Sequence, residues 1–239
     1  MLERGHPLVA DHALGVPAGA EEIGEVPFVP VAHDGIPYRI ARRATDLVLG
    51  ALLGMVLLPV ALLIAWAIRL DSPGPVLFRQ RRVGRGGRPF WFYKFRTMHV
   101  DARERYPELY RYRYQPQQIA TMYFKVIDDP RLTRFGRHLR RTSLDEIPNF
   151  INVLRGDMTL VGPRPELPEM VSYYRPEQMP KFSVTPGLTG LAQVSGRGIL
   201  RFQETIAADL DYVRRRSYWL DLVIVARTVD AVVRRVGAF

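Results

Sequence analysis

Between Asp46 and Arg69 the chain carries no charged residue, and Leu47–Ile68 (LVLGALLGMVLLPVALLIAWAI) is apolar on every face. A helix over these positions is long enough to cross a hydrocarbon core, which takes ~20 residues. Pro59 stands near its middle and removes one helical hydrogen bond. Arg39, Arg42 and Arg43 precede the segment, and Arg69, Arg79, Arg81 and Arg82 follow it. Basic residues on both flanks favour both ends on the cytoplasmic side. The pattern therefore predicts a helix that enters the membrane, breaks at Pro59 and returns. Hydropathy alone gives a plain span with a tolerated kink, and a buried core helix of this length and uniformity is the least favoured reading.

Beyond Asp71-Ser72-Pro73-Gly74-Pro75 the pattern shortens. Val76–Phe78 and Pro89–Phe95 read as two strands joined across a glycine-rich turn at Val83–Arg88, a β-hairpin. That turn is not a phosphate-binding Walker loop, since it lacks the Gly-Lys-Ser/Thr ending and opens no helix. Residues 103–118 are polar and tyrosine-rich, a surface helix or loop ended by Pro116. Helical spacing returns at Arg134–Arg141 and at Asn149–Leu154, the latter closed by Gly156. Met158–Val161 is a short strand leading into the rigid turn Gly162-Pro163-Arg164-Pro165, and Pro186–Gly190 is a second backbone corner. From Tyr218 to Val236, Leu222, Val225, Val229, Val232, Val233 and Val236 recur at helical spacing, with Trp219 at the start and Arg227, Arg234 and Arg235 beside the stripe. That layout fits a helix lying in a membrane interface and a helix packed on the core equally well. There is no internal repeat.

Composition sharpens this outline. The chain has 239 residues, 47% of them hydrophobic, enough to bury one real core with appendages. The net charge is +10 and its basic part is almost all arginine. Residues 1–37 hold six acids against Arg4 alone, so the remainder is more basic still. They are rich in Pro, Gly and Ala without apolar period, and read as a flexible acidic tail. A basic body calls for an anionic partner: a phosphorylated substrate, anionic lipid or nucleic acid. The apolar segment disfavours nucleic acid. No cysteine is present, which excludes disulfides, zinc thiolates and thiol catalysis. The N-terminus lacks the layout of a secretory signal.

The candidate chemistry lies between Asp128 and Pro165, where Asp145 and Glu146 are surrounded by Arg131, Arg134, Arg137, Arg140, Arg141, Arg155 and Arg164. Cations keep nearby carboxylates ionised, and guanidinium forks hold phosphate oxygens two at a time. Ser143-Leu144-Asp145-Glu146 also matches a capping box, with Ser143 as N-cap and Glu146 reaching back. Capping alone explains both acids without chemistry. Pro148 weakens it, because the regular helix then starts near Pro148 and leaves the acids in a presented turn. Capping does not explain the density of arginine. The five histidines are scattered without metal spacing, and no Gly-x-Ser-x-Gly elbow occurs.

Taken together and in order, Lys94-Phe95-Arg96-Thr97-Met98, Asp129-Pro130-Arg131, Thr142-Ser143-Leu144-Asp145-Glu146, Gly162-Pro163-Arg164-Pro165, Pro186-Gly187-Leu188-Thr189-Gly190-Leu191-Ala192-Gln193 and Ser195-Gly196-Arg197 closely resemble the bacterial sugar transferases, the monotopic phosphoglycosyl transferases. The resemblance runs from about Arg39 to the C-terminus. It implies a mainly α fold with a small β-hairpin (α+β), in which a re-entrant membrane helix and interfacial amphipathic helices surround a compact cytosolic catalytic domain. The expected parts are an acidic tail over 1–37, the membrane hairpin over 38–70 broken at Pro59, and the catalytic domain over 71–239.

The implied reaction moves a sugar-1-phosphate from a UDP-sugar to polyprenyl (undecaprenyl) phosphate at the cytoplasmic face of the bacterial inner membrane. It depends on Mg²⁺, releases UMP and starts surface-glycan assembly such as exopolysaccharide, capsule or O-antigen. By this resemblance Asp145 is the nucleophile, carries the phosphosugar as an acyl phosphate and meets the metal, while Glu146 assists. Lys94, Arg96, Arg131, Arg141 and Arg164 are the expected phosphate and substrate contacts. The partners are then the UDP-sugar, the polyprenyl phosphate and membrane lipids, with no nucleic acid, and self-association is left open. Asn149 departs from the glutamine usual in the family. A glycosyltransferase releasing UDP and a non-catalytic basic membrane adaptor are the competing readings.

Overall fold

In the computed structural model, which describes residues 34–115, 118–119, 122–123, 128–196 and 199–234, the apolar segment lies within one helix, α1 (Ile36–Asp71). Pro37 opens it, where its missing N–H costs nothing. At the far end the Ser72 N–H donates to Ile68 O (3.2 Å), and Pro73 cannot continue the coil. Helical backbone runs through Pro59, where the sequence predicts a break; one lost hydrogen bond does not by itself end a helix this long. Most of the tail expected over residues 1–37 lies outside the described residues. Asp34 is described, and its carboxylate accepts from Arg216 Nε at 2.6 Å.

Burial along α1 is uneven. Asp46 and Gly50 near its start and Ile64 and Ile68 near its end are buried, while Leu52, Met55, Val56, Leu58, Leu62 and Leu63 between them stand exposed. Only 11% of its most apolar window is buried, which removes the soluble-core reading. The C-terminal limb joins Phe95 and Leu139 in one apolar cluster, against Leu144 and Ile147. The N-terminal limb packs on the segment that follows those residues.

The hairpin pairs β1 (Leu77–Val83) antiparallel with β2 (Pro89–Phe95), in register from Leu77↔Phe95 to Val83↔Pro89. Its first strand runs five residues beyond the expected Phe78, through Arg79-Gln80-Arg81-Arg82. Aromatic partners carry these charges: the Arg79 and Arg81 guanidiniums lie 4.9 and 4.7 Å from the Trp91 ring centre, and Arg82 lies over Phe92 at 5.5 Å. The turn reverses at Gly86 and Gly87, both at positive φ.

Then follow α2 (Ala102–Arg105), a 3₁₀ turn at Pro107–Tyr110, α3 (Arg134–Thr142), a 3₁₀ turn at Leu144–Asn149, and α4 (Phe150–Arg155) closed by left-handed Gly156. β3 (Thr159–Val161) pairs in parallel with β4 (Gly187–Thr189). The chain continues through α5 (Leu191–Ser195), α6 (Phe202–Arg215) and α7 (Tyr218–Val233). The architecture is mainly helical with one small antiparallel hairpin, as expected. The β3–β4 pair is an addition: Pro186–Gly190 is not only a corner but a strand.

The main core joins Phe90 and Phe92 of β2, Val153 of α4, Leu160 and Val161 of β3, Tyr212 of α6 and Ile224 of α7. A second core contains Val83, Met170, Tyr174, Phe182, Phe202 and Ile206. Beside it Lys181 is buried with two carboxylates, 3.4 Å from Glu166 and 3.2 Å from Asp209. Burial pushes the Asp209 carboxyl up to about 6, against the pull of Lys181. Helix α7 packs on the core along one side. Ile224 and Asp221 are buried, whereas Trp219, Leu222, Val229 and Val232 are exposed.

Candidate active site

Helix α3 starts on Thr133, whose Oγ1 accepts from Gly136 N at 2.9 Å. It ends on Ser143, which takes a left-handed conformation (φ 58°) and turns the chain into the 3₁₀ segment carrying Asp145 and Glu146. Ser143 makes no capping bond from its side chain there. The expected capping box is therefore not formed. The reason is chemical: the Glu146 carboxylate is engaged by cations instead, accepting from Lys94 Nζ at 2.8 Å and Arg164 Nη2 at 2.8 Å. The regular helix α4 begins only after Pro148, so the acids sit in the turn before it, with Asp145 buried rather than presented.

Lys94 also lies 3.3 Å from Asp145 Oδ2, so one ammonium bridges both acids. Asp145 is only 5% exposed. The turn is held against β2 by Asn149, which is fully buried and accepts the Tyr93 N–H on Oδ1 at 3.3 Å, and Asn152 Nδ2 donates to Trp91 O at 2.6 Å. Asn149, the departure from the family pattern, thus serves the strand that presents Lys94.

Arg164 arrives from the other side on the Gly-Pro-Arg-Pro turn. β4 braces that turn: Gly162 N donates to Thr189 O and Gly187 N to Pro163 O, each at 2.8 Å. The approach is so close that a Cβ on Gly187 would lie 2.0 Å from Gly162 N.

Burial acts to raise the Glu146 carboxyl, but the Arg164 guanidinium and Lys94 ammonium outweigh it and hold the group well below the usual carboxylate range. Its folded pKa lies under the ordinary 4.5. The pairing therefore stabilises the fold above that pH, and this contribution is lost as pH falls through the folded value. Arg164→Met is expected to move the Glu146 titration upward, read by carbon-13 NMR of labelled glutamate. An unchanged titration would show that Arg164 is not the holding charge.

The remaining predicted contacts divide. Arg131 is bidentate to Asp129 (Nε–Oδ1 2.8 Å, Nη2–Oδ2 2.7 Å) and lies over the Tyr110 ring. It reaches the dyad only indirectly, because Asp129 Oδ2 also lies 3.5 Å from Arg140 Nη1, whose charge interacts with Asp145. Arg140 Nε donates to Thr97 Oγ1 at 3.3 Å. Arg141, the residue named from sequence, is exposed on α3; Arg140 is the one turned inward. Helical phase was the available signal, since Gly136, one turn before Arg140, abuts the backbone of Thr97. Arg96 is buried away from the dyad. Its Nε donates to Pro75 O (2.6 Å) and its Nη2 to Ser72 O (2.8 Å), clamping the end of α1.

Among the described residues no group of three or more His, Asp or Glu forms a ready metal cage. Two adjacent carboxylates are still a hard oxygen donor set. They suit Mg²⁺, which takes one or two protein carboxylates and completes its shell with phosphate oxygens and water.

The acid pair, its lysine and arginine partners and a helix of membrane length thus occur in one chain. The chain belongs to the bacterial sugar transferase family, which residues 37–235 match. It is similar to a UDP-glucose:undecaprenyl-phosphate glucose-1-phosphate transferase of Caulobacter vibrioides, 42% identical over 96% of this chain and 82% of the relative. A protein of that same name from Escherichia coli is 40% identical over 87% of this chain, and a galactosyl transferase of Streptococcus agalactiae is 42% identical over 83%. The chain spans most of the Caulobacter relative but less than half the length of the other two.

Proposed function

We propose that the chain transfers a sugar-1-phosphate from a UDP-sugar to polyprenyl phosphate through an aspartyl intermediate. The observation that carries this reading is the Lys94 ammonium shared by Asp145 and Glu146, with Arg164 closing on Glu146. A carboxylate oxygen of Asp145 attacks the sugar-bearing phosphorus, and the bond from that phosphorus to the UMP oxygen breaks, so UMP leaves with the electron pair. An oxygen of polyprenyl phosphate then attacks the same phosphorus and expels the Asp145 carboxylate, leaving a lipid diphosphate sugar.

Phosphoryl transfer needs positioning and charge neutralisation more than acid–base strength. Lys94, Arg164 and Arg140 supply fixed positive charge around the dyad, and Glu146 holds Lys94 and Arg164 in place. Asp145 would hold Mg²⁺ beside the substrate, and the ion would supply further neutralisation of phosphate charge.

Reaching a lipid phosphate requires the site to lie at the bilayer surface. Supporting a re-entrant α1 at the cytoplasmic face, both of its limbs dock on one body: Asp46 and Gly50 against β3 and α4, Ile64 and Ile68 against Phe95 and Leu139. Exposed apolar residues from Leu52 to Leu63 lie between those limbs, and the outward side of α7 adds Trp219, Leu222 and Val229. Cysteines placed at Arg39 and at Arg79, in a chain with no other thiol, are expected to label from one side of sealed vesicles. Labelling from opposite sides would exclude the re-entrant path.

The decisive assay incubates the full chain with undecaprenyl phosphate, Mg²⁺ and a panel of UDP-sugars. UMP release with formation of a lipid diphosphate sugar is expected. Release of UDP instead would identify a glycosyltransferase making a lipid monophosphate sugar, and turnover of no nucleotide sugar would leave the adaptor reading.

A further inference from the structure

The root of α1 carries a buried polar cluster that the chemistry above does not use. Tyr38, Arg42 and Asp46 recur every four residues, on one face of the helix just before it becomes wholly apolar. Each is directed into the protein. Arg42 donates from Nε to Thr159 Oγ1 (3.1 Å) and from Nη2 to Val161 O. Asp46 accepts from Thr159 Oγ1 (2.8 Å) and from Leu160 N (2.8 Å). Tyr38 donates to Asp221 Oδ2 of α7 (2.9 Å), and Tyr212 of α6 donates to Asp221 Oδ1 (2.7 Å) and lies 3.1 Å from Val161 O. Arg42 and Asp221 face each other at 3.9 Å.

A helix root needs only apolar packing to be held, and burying charges is costly unless they are paired and hydrogen-bonded. What this cluster adds is direction. Its bonds fall on backbone groups of β3, a strand of three residues that runs straight into Gly162-Pro163-Arg164. The Val161 carbonyl gripped by Arg42 stands three residues before the guanidinium that closes on Glu146. On the other side of the same turn, β4 fixes Gly162 and Pro163. The turn is therefore held at two points, one within the soluble body and one on the membrane helix.

We infer that Arg42 is a positioning residue for phosphoryl transfer, which through Val161 sets the place where Arg164 meets Glu146 and so ties the geometry of the site to the docking of the membrane helix. This rests on the transferase reading given above. Burial raises the Asp221 carboxyl while Arg42 opposes that rise, so Arg42 also keeps the buried cluster charge-balanced.

The test is a double-mutant cycle in the full chain, reconstituted in nanodiscs and read as kcat/KM for the UDP-sugar by UMP release. Arg42→Lys keeps the charge facing Asp221, but an ammonium lacks the planar fork that reaches Thr159 and Val161 together. It is expected to lower kcat/KM by about 10- to 100-fold. In an Arg164→Lys background the same change is expected to cost less than about twofold, since the group it places is already displaced. The same factor in both backgrounds, or no loss in the single variant, overturns the inference. If Arg42→Lys does not fold, Thr159→Val removes the hydroxyl between Arg42 and Asp46 at equal volume, and the cycle is read on it by the same criteria. Wild-type chain that releases no UMP sinks the transferase reading, whereas UMP release with independent factors sinks the positioning role alone.

Discussion

Asp145→Asn is expected to lower UMP release by at least about 1,000-fold, with thermal midpoint and membrane association unchanged. The amide keeps the shape of the side chain and can still fill the buried turn beside Lys94. It cannot form an acyl phosphate, and its loss removes the atom that bonds to phosphorus rather than a charge around it. Glu146→Gln is expected to act differently. It leaves the nucleophile but loosens Lys94 and Arg164, so residual turnover remains, and the midpoint falls because two cations lose their shared partner. Retention of full activity by Asp145→Asn would refute the nucleophile assignment directly.

Gly187→Ala is expected to be the most damaging small substitution in the fold. Its Cβ would lie 2.0 Å from Gly162 N, 2.4 Å from Thr189 O and 2.6 Å from Gly162 Cα, all backbone atoms that cannot rotate away. Overpacking of this kind costs about 3 kcal/mol or more, and relief requires β3 and β4 to separate, which moves the Arg164 turn. A fall in thermal midpoint together with lost turnover is the expected pair of readouts. Gly54→Ala is the matched control. It lies in α1 with nothing within 4 Å of the added Cβ, and helix propensity favours alanine there by about 1 kcal/mol. Equal behaviour of the two variants would mean that the β3–β4 contact is not the brace described above.

Much of this arrangement was legible in the chain. The apolar length of α1, the aromatic strand β2, α3, and α4 with its Gly156 cap follow from period and punctuation. Arg164 stands out because a proline-bounded turn fixes where it points, and Lys94 through the family resemblance. Other parts were hidden for physical reasons. β1 was cut short because arginines disfavour a strand until Trp91 and Phe92 lie under them, and that pairing depends on register. β4 has three residues and no alternation, so only its partner reveals it. The Ser143 tetrapeptide specifies a cap locally, and the left-handed turn that overrides it follows from how Glu146 is engaged from elsewhere in the fold. Arg140 and Arg141 differ by a single step around α3, and the sequence pattern did not resolve that phase. Arg42 read simply as a flanking positive charge, as did Arg43, which in fact donates to Val153 O and Leu154 O.

The bare apolar band in the middle of α1 bears on any measurement of self-association. Among the described residues its side chains stand exposed, and in plain buffer water is expected to drive copies of the chain together through that band. Clusters seen without lipid or detergent therefore report a missing solvent, and only particle sizes taken in bilayer mimetics speak to native stoichiometry.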